Sequence, residues 1–126
     1  MKKIISTTNA PAAIGPYSQA VEANGFLFIS GQLPINPIDK SMPEGIKEQT
    51  EQVMKNIVAI LDSAGYSLND VVKSTVLLAD IKDFAAMNEI YAKYYQTDCP
   101  ARAAYQVANL PLGAKIEIET IAYKAK

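Results

Sequence analysis

The sequence KIEIETIAY, residues 115–123, opens with a strict alternation of apolar and charged side chains. Successive side chains of a β-strand point to opposite faces, so Ile116 and Ile118 share one face while Glu117 and Glu119 share the other. Such a strand predicts a sheet whose apolar face is buried. The rest of the chain must therefore supply the neighbouring strands and the layer that covers them.

A hairpin is predicted near the amino terminus. Asn24-Gly25 separates residues 17–23 from the apolar run 26–30, and both turn residues tolerate the positive φ of a tight primed turn. Residues 31–43 contain three prolines, which withdraw backbone donors and keep a segment out of a central strand. We therefore expect two antiparallel strands followed by a loop.

Two helices are predicted in the middle of the chain. Apolar side chains at helical spacing from Ile46 onward predict a first helix that stops at Gly65, with a capping box at residues 41–44 as a candidate start. After a β-branched strand at 71–79, Asp80 is placed to cap a second helix that continues to about residue 95.

Strands over 102–109 and 115–123 complete the order β-β-α-β-α-β, with a possible extra strand at the start. This order predicts an α+β fold with two helices on one face of the sheet. The other face also carries apolar side chains, among them Ile121 and Tyr123 beside the two glutamates. We expect that face to pack against another subunit.

Composition excludes several functions. The 126 residues suit one domain, 1–126, and contain no histidine and one cysteine, which rules out a Cys/His zinc site, a Ser-His-Asp triad and a histidine base. The formal net charge of −1 argues against nucleic acid as a partner. The first residues lack the apolar run of a secretory signal or membrane span, and a lone Cys99 suits a reducing compartment, so a cytoplasmic protein is predicted.

Charged candidates for a site lie on the last two predicted strands. Arg102 starts a strand, where its guanidinium could hold a carboxylate through two hydrogen bonds or simply face solvent. Glu117 and Glu119 could include a general base, or form a solvated strand face. Ser30-Gly31 ends an apolar strand, where glycine would let a ligand approach the backbone or merely mark the strand end.

Three further side chains have weaker claims. Tyr17 follows a Gly-Pro turn and could present its hydroxyl to a ligand or belong to the core. Asn88, within the second helix, could point its amide into a pocket or into solvent. Cys99 could be a nucleophile, but the chain has no histidine to activate the thiol, and the following proline indicates a loop.

Four blocks of sequence together match a known pattern: NAPAAIGPYSQ at 9–19, ISGQLP at 29–34, PAR at 100–102 and KIEIE at 115–119. The chain resembles the reactive intermediate deaminase A (RidA, or YjgF) family nearly from end to end. The resemblance implies a chorismate-mutase-like fold, a homotrimer with sites in the clefts between subunits, and an enamine/imine deaminase that releases a 2-keto acid and ammonia.

The resemblance also implies roles for individual residues. Arg102 matches the arginine that grips the substrate carboxylate, helped by the backbone of Gly31. Glu117 matches the glutamate that positions and activates water. The other substrate-binding residues that it implies are Tyr17, Ser30, Asn88 and the residue at 104.

The chain departs from the family at one pocket position, because the usual Arg-Ser-Cys reads Arg102-Ala103-Ala104. Alanine can substitute if position 104 acts through its main-chain carbonyl, whereas loss of a thiol that shapes the pocket would change substrate preference. No cofactor or metal is expected, because an imine carbon is already electrophilic and needs only a carboxylate clamp, a placed water and proton transfer.

Two other functions stay open at this point. A regulatory trimer could use the same arginine-lined cleft to sense a 2-keto acid without turnover. Other members of the family are described as translation inhibitors or ribonucleases, although near-neutral charge and the lack of histidine argue against that role.

Overall fold

A computed structural model describes residues 1–125 as a six-stranded sheet with two α-helices. The strands stand in the order β1-β2-β3-β6-β4-β5, and every neighbouring pair is antiparallel except the parallel pair β4 and β5. The predicted α+β order is confirmed, and β1 is the extra strand. The elements are β1 (Lys3–Ile5), β2 (Ala20–Ala23), β3 (Phe26–Gln32), α1 (Ile46–Ala64), β4 (Val71–Leu78), α2 (Phe84–Tyr94), β5 (Ala101–Gln106) and β6 (Ile116–Tyr123).

The predicted hairpin joins β2 to β3. Asn24 and Gly25 both have positive φ, 51° and 87°, as a primed turn requires. Strand β2 begins at Ala20 rather than at residue 17, because residues 15–17 form a turn in which the Tyr17 N–H donates to the Gly15 carbonyl at 2.9 Å.

Strand β3 is longer than predicted. Its pairing with β6 shifts between Ile29 and Gln32, so an extra residue is accommodated as a β-bulge and the strand continues past Gly31. The predicted loop over 31–43 therefore starts only at Leu33. The shift also returns Gln32 to the buried face of the sheet.

The start of helix α1 differs from the prediction and its end agrees. The capping box at 41–44 is wrong: Ser41 donates its hydroxyl to Asp39 Oδ1 at 2.7 Å, and Gly45 stands at the N-cap without a side-chain hydrogen bond. At the other end Gly65 adopts φ 82° and its N–H donates to Asp62, which is the predicted glycine stop.

Asp80 caps a helical segment as predicted, but the segment is short. Its carboxylate accepts the Lys82 N–H at 2.9 Å at the start of a 3-10 turn, Ile81–Asp83. Helix α2 follows directly at Phe84 and ends at Tyr94, one residue before the predicted end.

The two faces of the sheet differ as the alternation in β6 predicted. Ile116 and Ile118 are fully buried against the helices, and the glutamates lie on the opposite face. That opposite face, which we call the open face, also carries a cluster of exposed aromatic rings, in which Phe26 and Tyr123 have centroids 4.7 Å apart. Packing of the open face against another subunit stays a prediction.

No helix within residues 1–125 is long and apolar enough to cross a membrane.

Candidate active site

The predicted site residues divide between the two faces of the sheet. Arg102 pairs with Ser74 of β4, whose side chain is buried beneath the helices, so Arg102 lies on the helix-covered face. Glu117 pairs with Leu77, three residues further along β4 and thus on the opposite face. One chain by itself therefore does not bring the guanidinium and the carboxylate together.

Glu117 lies in a cleft of about 660 Å³ on the open face, which we call the glutamate cleft. Its polar lining includes three other residues singled out from the sequence, Tyr17, Ser30 and Gly31, together with Glu119. Its apolar walls are formed by Pro11, Ala12, Ile14, Leu33, Ile35 and Leu112. The cleft thus combines a carboxylate with walls suited to a small aliphatic group.

Gly31 makes room for the Glu117 side chain. A Cβ built on Gly31 would overlap the Glu117 carboxylate and stand only 2.9 Å from Cδ and 3.1 Å from Cγ. From the sequence, this glycine could admit a ligand to the backbone or merely mark the end of the strand. The structure gives it an additional reason, since any larger residue would push the carboxylate out of place.

Burial raises the pKa of Glu117, and the nearby Glu119 carboxylate raises it further. A buried carboxylate is poorly solvated in its charged form, and a like charge adds repulsion. The pKa of Glu117 therefore lies closer to neutral pH than that of an exposed glutamate. A pKa raised in this way favours a group that both takes a proton and returns it.

Ser30 and Tyr17 line the same cleft in different ways. The Ser30 hydroxyl donates to the Ser18 carbonyl at 2.6 Å, so it ties the bulge of β3 to the segment that precedes β2. Tyr17 is 53% exposed, and its hydroxyl only accepts a long hydrogen bond of 3.4 Å from the Ile14 N–H. The phenolic proton of Tyr17 is therefore available to a ligand in the cleft.

Arg102, the only arginine of the chain, is held in a fixed orientation on the other face. Its Nη1 donates to Asn88 Oδ1 at 2.7 Å, and its guanidinium carbon lies 4.9 Å from the Tyr91 ring centroid and 5.4 Å from that of Phe84. Within residues 1–125 no carboxylate forms an ion pair with it. The remaining N–H donors of the guanidinium can therefore bind an anion.

The two aromatic rings beside Arg102 were missed as site residues. Burial raises the pKa of Tyr91, so its ring stays neutral beneath the cation. Phe84 and Tyr91 lie seven residues apart on one side of α2, and spacing within a helix does not reveal which strand residue a ring contacts. Their position next to Arg102 depends on the packing of α2 on β5.

Ala104 lines neither the glutamate cleft nor the cavity beside Arg102. Its side chain packs against the hydrophobic core. A contact between this residue and a ligand would therefore involve its backbone, and that role stays a prediction.

Cys99 borders a cavity of about 340 Å³ beside Arg102, and its thiol donates to the Tyr95 carbonyl at 3.3 Å. No group of three or more His, Cys, Asp or Glu side chains in the described part of the chain is arranged to hold a metal ion.

The reaction should need neither the thiol nor a metal. We expect Cys99→Ser, which keeps a hydrogen-bond donor, to leave the reaction rate within about twofold, and we expect the same of dialysis against a chelator. Strong inhibition by either treatment, in a steady-state assay, would contradict a mechanism without thiol or metal.

A carboxylate of raised pKa in an apolar cleft and an oriented guanidinium are groups that can bind and transform a small organic carboxylate. The chain belongs to the endoribonuclease L-PSP family, also known as YjgF/RidA, whose family model matches residues 7–124. The mouse 2-iminobutanoate/2-iminopropanoate deaminase is 54% identical over 97% of this chain and 91% of its own length.

Solved structures agree with this assignment. RidA from the Antarctic bacterium Psychrobacter sp. is 51% identical and superposes with a TM-score of 0.94 over 97% of this chain and 99% of that chain. Escherichia coli TdcF, solved with bound serine, is 41% identical with a TM-score of 0.94 over 98% of this chain and 99% of that chain. The predicted family and fold class are thereby confirmed.

Proposed function

We propose that this protein is a 2-iminobutanoate/2-iminopropanoate deaminase, which hydrolyses enamine and imine intermediates to 2-keto acids and ammonia. The observation that carries the proposal is the Glu117 carboxylate, seated over Gly31 in an apolar cleft, in a chain 54% identical to a mouse protein of that name. The TdcF structure adds support, because its bound serine carries a carboxylate and a nitrogen on the same carbon, as the imine substrates do. We expect the protein to act in the cytoplasm.

The complete site is proposed to form between two copies of the chain. Arg102 and Glu117 lie on opposite faces of one sheet, and the open face has apolar and aromatic side chains without a cover of helices. A homotrimer, as the family resemblance implies, would seat the Arg102 cavity of one chain against the glutamate cleft of the next. The carboxylate clamp and the base would then face the same substrate.

The mechanism follows from the chemistry of these groups. The guanidinium of Arg102 binds the substrate carboxylate and so places the imine carbon over Glu117. Glu117 takes a proton from water as the water oxygen bonds to that carbon; the C=N π bond breaks, and the nitrogen takes a proton from solvent. Glu117 then gives its proton to the nitrogen, the hydroxyl of the carbinolamine releases its proton to solvent as the C–N bond breaks, and ammonia leaves a 2-keto acid behind.

The trimer can be tested by light scattering. We expect a mass of about 41 kDa, three times the 13.7 kDa chain, because a large apolar sheet face is stable in water only when it is covered. A monomer at micromolar concentration would leave Arg102 and Glu117 on separate surfaces, and would contradict both the assembly and the shared site.

The activity can be tested with 2-iminobutyrate generated in the assay by an amino-acid oxidase. Keto-acid formation should exceed the uncatalysed rate measured in buffer, since some of these intermediates hydrolyse unaided. Binding of 2-oxobutyrate without any turnover would favour a ligand-sensing protein instead. Salt-dependent binding or cleavage of RNA without deamination would favour the ribonuclease function.

The pH dependence follows from the raised pKa of Glu117. The base works as a carboxylate, so kcat/KM should fall as the pH drops through that pKa, with a midpoint above the range of exposed glutamates. Glu119→Gln removes the repelling charge and should move the midpoint to lower pH, while burial keeps it above the ordinary value. A pH profile of both proteins measures this shift, and coincident profiles would contradict the electrostatic coupling.

A further inference from the structure

Gln19 is a buried residue whose side-chain amide makes four hydrogen bonds to the backbone of one segment. Its Oε1 accepts the Thr7 N–H at 2.7 Å, and its Nε2 donates to the carbonyls of Thr7 at 3.0 Å, Ala10 at 3.3 Å and Pro11 at 2.7 Å. Only 4% of the residue is exposed. Removing such an amide would leave the buried Ala10 carbonyl and three partly buried backbone groups without this partner.

The segment that Gln19 holds forms one wall of the glutamate cleft. Pro11, Ala12 and Ile14 line the cleft, and Ile14 is 86% exposed, so its side chain makes little contact with the rest of its own chain. Residues 6–18 belong to neither a strand nor a helix. Their position therefore depends on individual hydrogen bonds rather than on a ladder.

The backbone of Gln19 is attached to the opposite side of the cleft. Its carbonyl accepts the Ser30 N–H at 3.0 Å, immediately before Gly31 and the Glu117 carboxylate that covers it. One residue thus connects the apolar wall, through its side chain, to the bulge of β3 that lies beneath the Glu117 carboxylate, through its backbone. This connection ties the position of the wall to that of the bulge.

We propose that Gln19 is a positioning residue that sets the width of the glutamate cleft and thereby selects imino acids with short aliphatic side chains. The inference rests on the proposed deaminase function and adds to it a residue that governs substrate choice. The wall contacts the substrate side chain, whereas Glu117 and Gly31 belong to strands that the Gln19 side chain does not hold. Its loss should therefore affect binding and discrimination far more than the chemical step.

Gln19→Met tests the proposal, because methionine matches glutamine in length but forms none of the four hydrogen bonds. We expect KM for 2-iminobutyrate to rise about tenfold while kcat stays within about threefold. The ratio of kcat/KM for 2-iminobutyrate to kcat/KM for 2-iminopropionate should fall toward one. The two substrates differ by one methylene, and a well-placed wall distinguishes one methylene by about tenfold or more. Gln19→Asn keeps an amide on a shorter stem and should give an intermediate KM.

Tyr66→Phe is the matched control for a loss of buried hydrogen bonding. The Tyr66 hydroxyl donates to the Gly25 carbonyl at 2.9 Å at the hairpin, roughly 20 Å along β3 from Gly31. This variant should lower the melting temperature without changing KM or the preference between substrates. Should Gln19→Met fail to fold, the Gln19→Asn variant decides the question.

Calorimetric binding of 2-oxobutyrate separates this inference from the proposed function. If the wild-type protein binds the keto acid but does not turn over the imine, this result contradicts the proposed deaminase function. A weaker affinity of the Gln19 variants for the keto acid would still support the positioning role. Gln19 variants that lose only thermal stability, with KM, affinity and preference unchanged, would overturn it. A wild-type protein that neither turns over the imine nor binds the keto acid would overturn both proposals.

Discussion

Glu117→Gln should lower the rate of 2-iminobutyrate hydrolysis by about 10²–10⁴-fold, the usual contribution of a positioned general base. Glutamine keeps the shape that fits over Gly31 but cannot take a proton from the attacking water near neutral pH. The fast uncatalysed reaction narrows the measurable range, so the loss is best measured as kcat with the buffer rate subtracted. Binding of 2-oxobutyrate through Arg102 should persist, which shows that the variant is folded.

Glu119→Gln is the matched control on the same strand face and in the same cleft. It should keep near wild-type turnover at neutral pH, because its carboxylate adds repulsion to Glu117 but takes no proton from water. Equal losses in the two variants, or a loss confined to Glu119→Gln, would show that the base is wrongly assigned.

Arg102→Lys should lower kcat/KM for 2-iminobutyrate by at least about tenfold with the oligomer intact. An ammonium is a point charge that cannot form two parallel hydrogen bonds to a carboxylate, and it lacks the flat surface that lies against Phe84 and Tyr91. The chain has no second arginine to replace it. The loss should appear mainly in KM and in the affinity for 2-oxobutyrate.

Lys82→Met serves as the control for Arg102, since it removes one positive charge from the turn before α2. Its kinetics should match those of the wild-type protein. Unchanged kinetics of Arg102→Lys would mean that the substrate carboxylate binds elsewhere, and a comparable loss in Lys82→Met would mean that the loss is not specific to the position of Arg102.

Local patterns predicted much of the fold because their physical causes are local. The alternation in β6 determined which side chains are buried, and the turn at Asn24-Gly25 follows from the positive φ that both residues adopt. The prediction of a capping box was wrong for a local reason as well. The Ser41 hydroxyl donates to Asp39 and is therefore not available to cap the helix.

The arrangement of the site could not be predicted from the same patterns. Arg102 and Glu117 were named as candidates, but the face on which each lies depends on the register between strands distant in sequence. Gly31 was expected to admit a ligand, whereas the structure places the Glu117 side chain there. Gln19 was not predicted as a functional residue, because the neighbouring sequence does not show which backbone groups a buried amide will bind.

A mixing experiment tests the central claim, a deaminase site shared by two chains, most directly. Arg102→Ala and Glu117→Gln chains are combined in equal amounts, unfolded and refolded together, and hydrolysis of 2-iminobutyrate is compared with that of each variant alone. In random trimers about one quarter of the clefts receive an intact Arg102 from one chain and an intact Glu117 from its neighbour. We predict recovery of about that fraction of wild-type activity. Mixed trimers no more active than the two separate variants would contradict the shared site.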